Sequence, residues 1–238
     1  MTVLKRAAAA LLATTALAAV SSPSLAQDFK GKSAGDILIR GRALAVMPQE
    51  KGSLYAGAPV NAGIGEAEVD NDYIPELDFT YFFTDNIAAE LIAGTSRHRV
   101  KGVMNSSFSS ALGSSVDVGK VSLLPPTLTV QYHFFPKERV SPYIGAGVNY
   151  TLFYKEDAAN SVNANGIAVT ETDYKNKFGW ALQAGVDVAL VGNWSLNFDV
   201  KKIFLKTDVT AQTNLGVPVT SSVRLDPWLV GVGVGYRF

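Results

Sequence analysis

Trp228-Leu229-Val230-Gly231-Val232-Gly233-Val234-Gly235-Tyr236-Arg237-Phe238 is the stretch whose reading decides the fold. It alternates without a break. Trp228, Val230, Val232, Val234, Tyr236 and Phe238 fall on one side of an extended strand, and Leu229, Gly231, Gly233, Gly235 and Arg237 fall on the other. In a water-soluble sheet the large apolar face would be the core; in a lipid-embedded sheet it would be the outer surface. One strand alone does not choose between them. A terminal strand also exposes a row of unpaired backbone groups, and closing a barrel against the first strand of the chain removes that edge.

Seven other segments alternate in the same way. Residues 37 to 46 place Leu38, Arg40, Arg42 and Leu44 opposite Ile39, Gly41, Ala43 and Ala45. Residues 75 to 84 set Leu77, Phe79, Tyr81 and Phe83 against Glu76, Asp78, Thr80 and Phe82, and 87 to 99 set Ala89, Leu91 and Ala93 against Glu90, Ile92 and Gly94. In 121 to 135, Leu128, Val130, Tyr132 and Phe134 oppose Thr127, Thr129, Gln131 and His133; in 141 to 154, Ile144, Ala146, Val148, Tyr150 and Leu152 oppose Gly145, Gly147, Asn149, Thr151 and Phe153. A sixth strand opposes Trp180, Leu182, Ala184, Val186 and Val188 to Ala181, Gln183, Gly185 and Asp187. A seventh, from Trp194, opposes Leu196, Phe198 and Val200 to Ser195, Asn197, Asp199 and Lys201.

The connections alternate too. Short turns at 84–86, 136–140 and 191–193 contain Asp, Asn, Pro and Gly. Long polar connections fall near 47–74, 100–120, 155–173 and 208–222, and are expected to be exposed loops. Short turns on one side and long loops on the other are the pattern of transmembrane barrels. The expectation is an all-β, eight-stranded antiparallel transmembrane β-barrel over 27–238, with both termini periplasmic because the strand count is even. Aromatics near the strand ends fit interfacial girdles: Phe83, Phe134, Trp194, Tyr236 and Phe238 beside the short turns, and Tyr73, Tyr154, Tyr174 and Trp228 beside the long connections.

Residues 1–26 read as a cleaved secretory signal peptide. Lys5 and Arg6 precede the apolar run Ala7 to Val20, and Ser24-Leu25-Ala26 supplies small residues before the expected cut. Losing Lys5 and Arg6 leaves 19 of the 21 basic residues against 21 acidic ones, a net charge of −2, which is no nucleic-acid footprint. The chain has no Cys, which excludes disulfides, thiolate metal sites and Cys nucleophiles. No cofactor and no metal are expected, since the two histidines, His98 and His133, are far apart and no Glu stands at ligand spacing.

The ending Tyr236-Arg237-Phe238 resembles the C-terminal signal of bacterial outer-membrane barrels, so Tyr236 and Phe238 are the expected contacts for the barrel-assembly machinery. Three further stretches carry a resemblance to the OmpW family of eight-stranded outer-membrane proteins: Pro75-Glu76-Leu77-Asp78-Phe79-Thr80-Tyr81-Phe82-Phe83-Thr84-Asp85-Asn86, Leu124-Pro125-Pro126-Thr127-Leu128-Thr129-Val130-Gln131-Tyr132-His133-Phe134, and Pro142-Tyr143-Ile144-Gly145-Ala146-Gly147-Val148-Asn149-Tyr150-Thr151. Asp199-Val200-Lys201-Lys202 and the last strand extend it over nearly the whole mature chain; the segments 47–74 and 155–173 do not match. The resemblance implies a monomeric barrel in the outer membrane, among lipid and lipopolysaccharide, with a narrow hydrophobic lumen that helps small apolar molecules enter.

Strand parity supplies the candidate site. Arg40, Arg42, Asp78, Glu90, Gln131, His133, Asn149, Gln183, Asp187, Asn197, Asp199 and Lys201 point inward in the half nearer the short turns, where buried charges have to pair, so a salt-bridged polar plug is expected. Leu123, Phe153, Ile203, Leu205, Leu225 and Leu229 point inward near the long connections and form an apolar cup for a small hydrophobic ligand. Pro125 and Pro126 lack the N–H a ladder needs and mark either a lateral opening or a simple bend.

Three other readings compete. An acyltransferase or deacylase would use His133 with a Ser, but His133 lies at the short-turn end, away from the outer leaflet, and reads as a structural histidine. No enzyme is expected. A lipocalin also has eight strands, with the polarity of the two faces reversed. A surface barrel whose loops bind partners and whose lumen passes nothing is the functional alternative.

Overall fold

The computed structural model describes residues 29–49 and 52–238; the signal-peptide segment 1–26 lies outside them. Among the described residues, fifteen strands and one helix follow in chain order: β1 (Ile37–Met47), β2 (Ser53–Ala56), β3 (Ala62–Val69), β4 (Asp72–Phe82), β5 (Ile87–Gly94), β6 (Ser96–Met104), α1 (Ser106–Leu112), β7 (Ser115–Leu124), β8 (Thr127–His133), β9 (Val140–Ala158), β10 (Val169–Tyr174), β11 (Lys177–Ala189), β12 (Trp194–Phe204), β13 (Lys206–Thr213), β14 (Pro218–Arg224) and β15 (Trp228–Arg237).

Eight of the strands close a ring, β1-β4-β5-β8-β9-β11-β12-β15, every neighbour antiparallel. The closing pair is β15 with β1, from Leu38↔Arg237 to Met47↔Trp228. With β12 on its other side β15 has no free edge, so no backbone row is left unpaired in lipid. Alternation decides the faces: along β1 the inward Leu38, Arg40, Arg42 and Leu44 are buried, while on β11 Trp180 is 71% exposed to the outside. A lipocalin would put its charges on the other face. At the short-turn rim, aromatic side chains pack edge to face on the outside, Tyr81 on Phe83 at 5.0 Å and Tyr236 on Phe238 at 4.8 Å.

The four segments read as exposed loops turn out to be largely strand. Within 47–74 lie β2 and β3, within 100–120 the end of β6, α1 and the start of β7, within 155–173 the end of β9 and the start of β10, and within 208–222 most of β13 and β14. They form a second sheet, β10-β13-β14-β2-β3-β6-β7-β9, stacked on the ring as an upper tier; β9, 19 residues long, runs through both. Two features hid these strands. The segments are short and turn-interrupted, and the tier's outward face carries Ser, Thr, Glu and Lys, so their mean polarity resembles that of loops. Their inward face is mostly apolar, interrupted by the buried Ser96, His98, Thr207 and Ser221: Leu54, Ala56, Ile64, Ala67 and Val223 form one buried cluster and Val100, Val116, Val118, Val121, Val169 and Ala211 another.

Helix α1 roofs the tier. Its sequence Ser-Ser-Phe-Ser-Ser-Ala-Leu has weak helix propensity, so its ends carry the stabilisation. Asn105 caps the N-terminus through the Ser107 N–H, and the side chains of Asn163 and Asn165 donate to the carbonyls of Leu112, Ser110 and Ala111 that a helix C-terminus leaves unpaired.

Candidate functional site

The lower half of the lumen, nearer the short turns, is filled by one ionic network. Arg40, fully buried, donates from Nη1 to Glu90 at 2.9 Å and to Thr80 at 2.7 Å, and from Nη2 to Asp187 at 2.9 Å. Two residues along β1, Arg42 donates from Nε to Asp78 at 2.7 Å and stands 3.0 Å from Glu76 and 3.3 Å from Asp199. Lys201 lies 2.6 Å from Asp199 and 3.4 Å from Glu76. Gln183 bridges the carboxylates of Glu90 at 2.8 Å and Asp199 at 2.7 Å, while accepting from Thr129 and Gln131; Asn197 donates to Asp187 and to the Tyr143 hydroxyl. Every cation therefore faces a carboxylate at hydrogen-bond range, the condition under which charge can be kept out of water at tolerable cost.

The bottom of the network is closed by the chain that precedes β1. Lys32, 6% exposed, reaches up from it to donate to Asp187 at 2.8 Å, Ser141 at 2.9 Å and His133 Nδ1 at 2.7 Å. A lysine ammonium only donates, so His133 Nδ1 accepts and its Nε2–H donates to Gln131 Oε1 at 3.0 Å. His133 thus has both ring nitrogens engaged by structural partners, with Asp187 3.9 Å from Nδ1, and holds no serine within hydrogen-bond range. The strap of residues 29–36 touches all three short turns. Phe29 bridges to Gly192, the Lys32 N–H donates to the Pro136 carbonyl, and the Ala34 N–H donates to Asp85. A hydrogen bond from Lys137, then the one from Ala34, holds the Asp85 carboxyl below its ordinary pKa.

Above the network the lumen becomes apolar. A lower chamber of about 90 Å³ is lined by all six of Leu123, Phe153, Ile203, Leu205, Leu225 and Leu229, and its floor is set by Glu76, Lys201, Thr127 and Asn149. An upper chamber of about 320 Å³ follows inside the tier beneath α1, with Phe108 and Leu112 from the helix in its lining. Ala67, Val100, Val209 and Val223 border both chambers, so the two form one tall apolar space where the sequence suggested a single cup.

One member of the sequence-derived plug stands apart from the charges. Asn149 donates to Thr127 at 2.8 Å and to the carbonyls of Pro125 and Pro126, placing it at the chamber floor beside the proline step. Tyr174, assigned to the outer girdle, instead points inward and stacks on Phe153 with ring centroids 5.5 Å apart. Several contributors, Thr80 and Thr129 among them, lie outside the set the sequence supplies. Glu76 and Tyr143 had the right parity for the lumen and were passed over; the Tyr143 hydroxyl donates to Asp199 at 2.6 Å, and its ring fits only because Gly185 has no Cβ, which would fall 2.4 Å from it. Lys32 and Ser141 carried no signal, Lys32 because it lies outside any strand and Ser141 because small polar residues at strand starts are common.

Pro125 and Pro126 separate β7 from β8. Ladder pairing to the neighbouring β5–β6 edge stops at Ile92↔Thr127 and resumes at Ser96↔Leu123, leaving residues 93–95 unpaired opposite 124–126. On the other side the wall is intact, with Leu124↔Leu152 and a bond from the Tyr150 N–H to the Pro126 carbonyl. Gly94, Ser96, Pro125 and Thr127 around this gap all line the lower chamber.

A closed ring of eight antiparallel strands, apolar outside and charged within, defines a transmembrane β-barrel of the outer membrane. The sequence profile of the OmpW family matches residues 33–238. The chain is 43% identical over 225 residues, 94% of its own length and 90% of the relative's, to the uncharacterized outer-membrane protein y4mB of Sinorhizobium fredii, and 34% identical over 240 residues to outer membrane protein W of Escherichia coli, covering 99% and 100%. The crystal structure of OprG from Pseudomonas aeruginosa superimposes with a TM-score of 0.77 at 30% identity, over 89% of this chain and 99% of that one; the solid-state NMR structure of AlkL in lipid bilayers does so with 0.63 at 31% identity, over 91% and 96%. The chain belongs to the OmpW family and resides in the outer membrane.

Proposed function

We propose that this barrel takes up small hydrophobic molecules into its stacked apolar chambers and releases them sideways into the membrane. The observation that supports the reading is an apolar chamber lying directly above a salt-bridged layer. A solute in the lower chamber meets the Arg40–Arg42 network beneath it and, beside it, the unpaired gap at residues 93–95 and 124–126. In this reading the strap end and both termini face the periplasm, the tier faces outward, and the protein acts as a monomer without catalysis.

Replacing Leu229 by Asp puts a charge in the chamber wall, which disfavours an apolar occupant by several kcal/mol and lowers uptake of small apolar compounds by at least about tenfold. A crosslink joining residue 95 to residue 124 across the gap lowers uptake as well, with the barrel still folded. The competing reading, a surface barrel that passes nothing, gains if both variants fold and accumulate such compounds at the parent's rate. In planar bilayers the filled lower lumen gives no steady porin-like conductance; a large steady current would contradict the seal.

A further inference from the structure

The tier wall has a second interruption, away from the prolines. Its strand order begins at β10 and ends at β9, and the two stand side by side without a ladder pair: Thr151↔Lys177 is the last register pair joining β9 to β11, above it β9 continues with β7 alone, and β10 pairs only with β13. Side chains meet the backbone groups along this seam instead. The Phe153 N–H donates to Asn176 Oδ1 at 2.8 Å, and the Tyr174 N–H donates to the Glu156 carboxylate at 3.2 Å. A single backbone bond, from the Asn160 N–H to the Val169 carbonyl, closes the top. A seam held by two side-chain bonds and one backbone bond opens at lower free energy than a continuous ladder, where neighbouring bonds break together.

What flanks the seam is aromatic on both sides of the wall. Immediately below it on the outer surface, Tyr150 and Phe178 are ladder partners with rings 4.4 Å apart, and Phe178 is 76% exposed. Immediately behind it, the stacked rings of Phe153 and Tyr174 belong to the wall of the lower chamber. The outer pair lies on the lipid-facing side of the wall, and the inner pair lines the chamber behind it. Unlike the proline gap, whose missing N–H groups are covalently fixed, this seam carries donors and acceptors that can close it again.

We propose that the β9–β10 seam is a gated side door of the lower chamber, with Phe153 and Tyr174 as its leaves and Asn176 and Glu156 as its clamps, through which small apolar solutes pass between the membrane interface and the cavity. This rests on the reading of the chambers as a hydrophobic solute site. It adds a second route, separated from the proline gap by the β7–β8 and β9 strands, and residues that control the rate of passage without fixing the affinity.

The chain has no cysteine, so a pair introduced as Glu156→Cys with Lys175→Cys is the only thiol pair present. The full mature protein in lipid nanodiscs is loaded with hexafluorobenzene, and fluorine exchange NMR reads bound fraction and exchange rate together. Closing the thiol pair with a short bismaleimide slows exchange by at least about tenfold at unchanged bound fraction, and Glu156→Ala with Asn176→Ala speeds it several-fold, as expected for a gate. An exchange rate that neither change alters overturns the side door and leaves the chamber standing. A parent protein that shows no bound resonance overturns the chamber reading itself, and the side door with it.

Discussion

Arg40 and Leu44 lie on the inner face of the same strand, and between them the lumen changes its physics. Around Arg40 and Arg42 most inward side chains are charged or polar, paired and buried, and the space is filled; from Leu44 upward most are apolar and border a chamber of about 90 Å³ and then one of about 320 Å³. Both halves follow one alternating code. Parity fixes only which face a residue takes, and the chemistry on that face decides whether the lumen is bolted shut or left hollow.

The largest loss of stability is expected in the lower half. Arg40→Met leaves the carboxylates of Asp187, Glu90 and Asp78 with fewer partners in a dry interior, and removal of one member of a buried charge network costs about 3–5 kcal/mol. Urea unfolding in lipid vesicles measures it. Lys32→Met takes the donor from the buried His133 Nδ1 while Asp187 keeps its bonds to Arg40 and Asn197, and the expected loss is about 1–3 kcal/mol. A loss under about 1 kcal/mol for Arg40→Met would mean that water or a shifted proton already relieves the network, and the lower half would lose its claim to be the stable one.

The two halves were also unequally legible. The ring could be read from alternation, because lipid outside and charge inside make every ring strand obey a period of two, and the pairing demand on Arg40 and Arg42 followed from their inward parity in a narrow lumen where buried charges have to pair. The tier could not. Its strands are interrupted by turns and face water outside, and the inner face mixes polar residues with apolar ones: β13 and β14 turn Thr207, Val209, Ala211, Val219, Ser221 and Val223 inward, so the contrast between faces is weak. Lys32 was hidden for another reason: its place under His133 depends on the chain folding back across three turns, which no local pattern encodes. The seam at β10 is a failure of pairing, and pairing partners are a property of the closed tier, with nothing in residues 169–174 alone to announce it.

A middle-sized effect sharpens the contrast from above. Leu205→Ala removes a buried side chain that borders the lower chamber and packs with Ala181 and Ile203. In a close-packed core such a change costs about 2–5 kcal/mol, and a wall that already faces empty space loses fewer contacts, so about 1–2 kcal/mol is expected here. An effect matching that of Arg40→Met would show that the tier stabilises the barrel as strongly as the network does.

The smallest stability effect is expected where the functional effect is greatest. Ala211 and Ala56 are buried small residues whose side chains face the upper chamber, and both lie on tier strands whose ladders involve backbone alone. Changing both to Leu fills part of about 320 Å³ of apolar space without touching a charge or a hydrogen bond, and a cavity of that size admits added methyl groups without the strain that overpacking causes in a dense core. The gain from burying the new surface roughly offsets the ordering of two larger side chains, so stability should move by less than about 1 kcal/mol in either direction. Occupancy by hexafluorobenzene, read by the same fluorine signal, should fall strongly, because the contacts a solute would make are now made by the protein. Arg40→Met should do the reverse, costing stability while leaving the upper chamber's occupancy intact at temperatures where the barrel stays folded. If the filled variant instead binds as the parent does, the solute occupies only the lower chamber, and the upper one is a structural vestibule under α1.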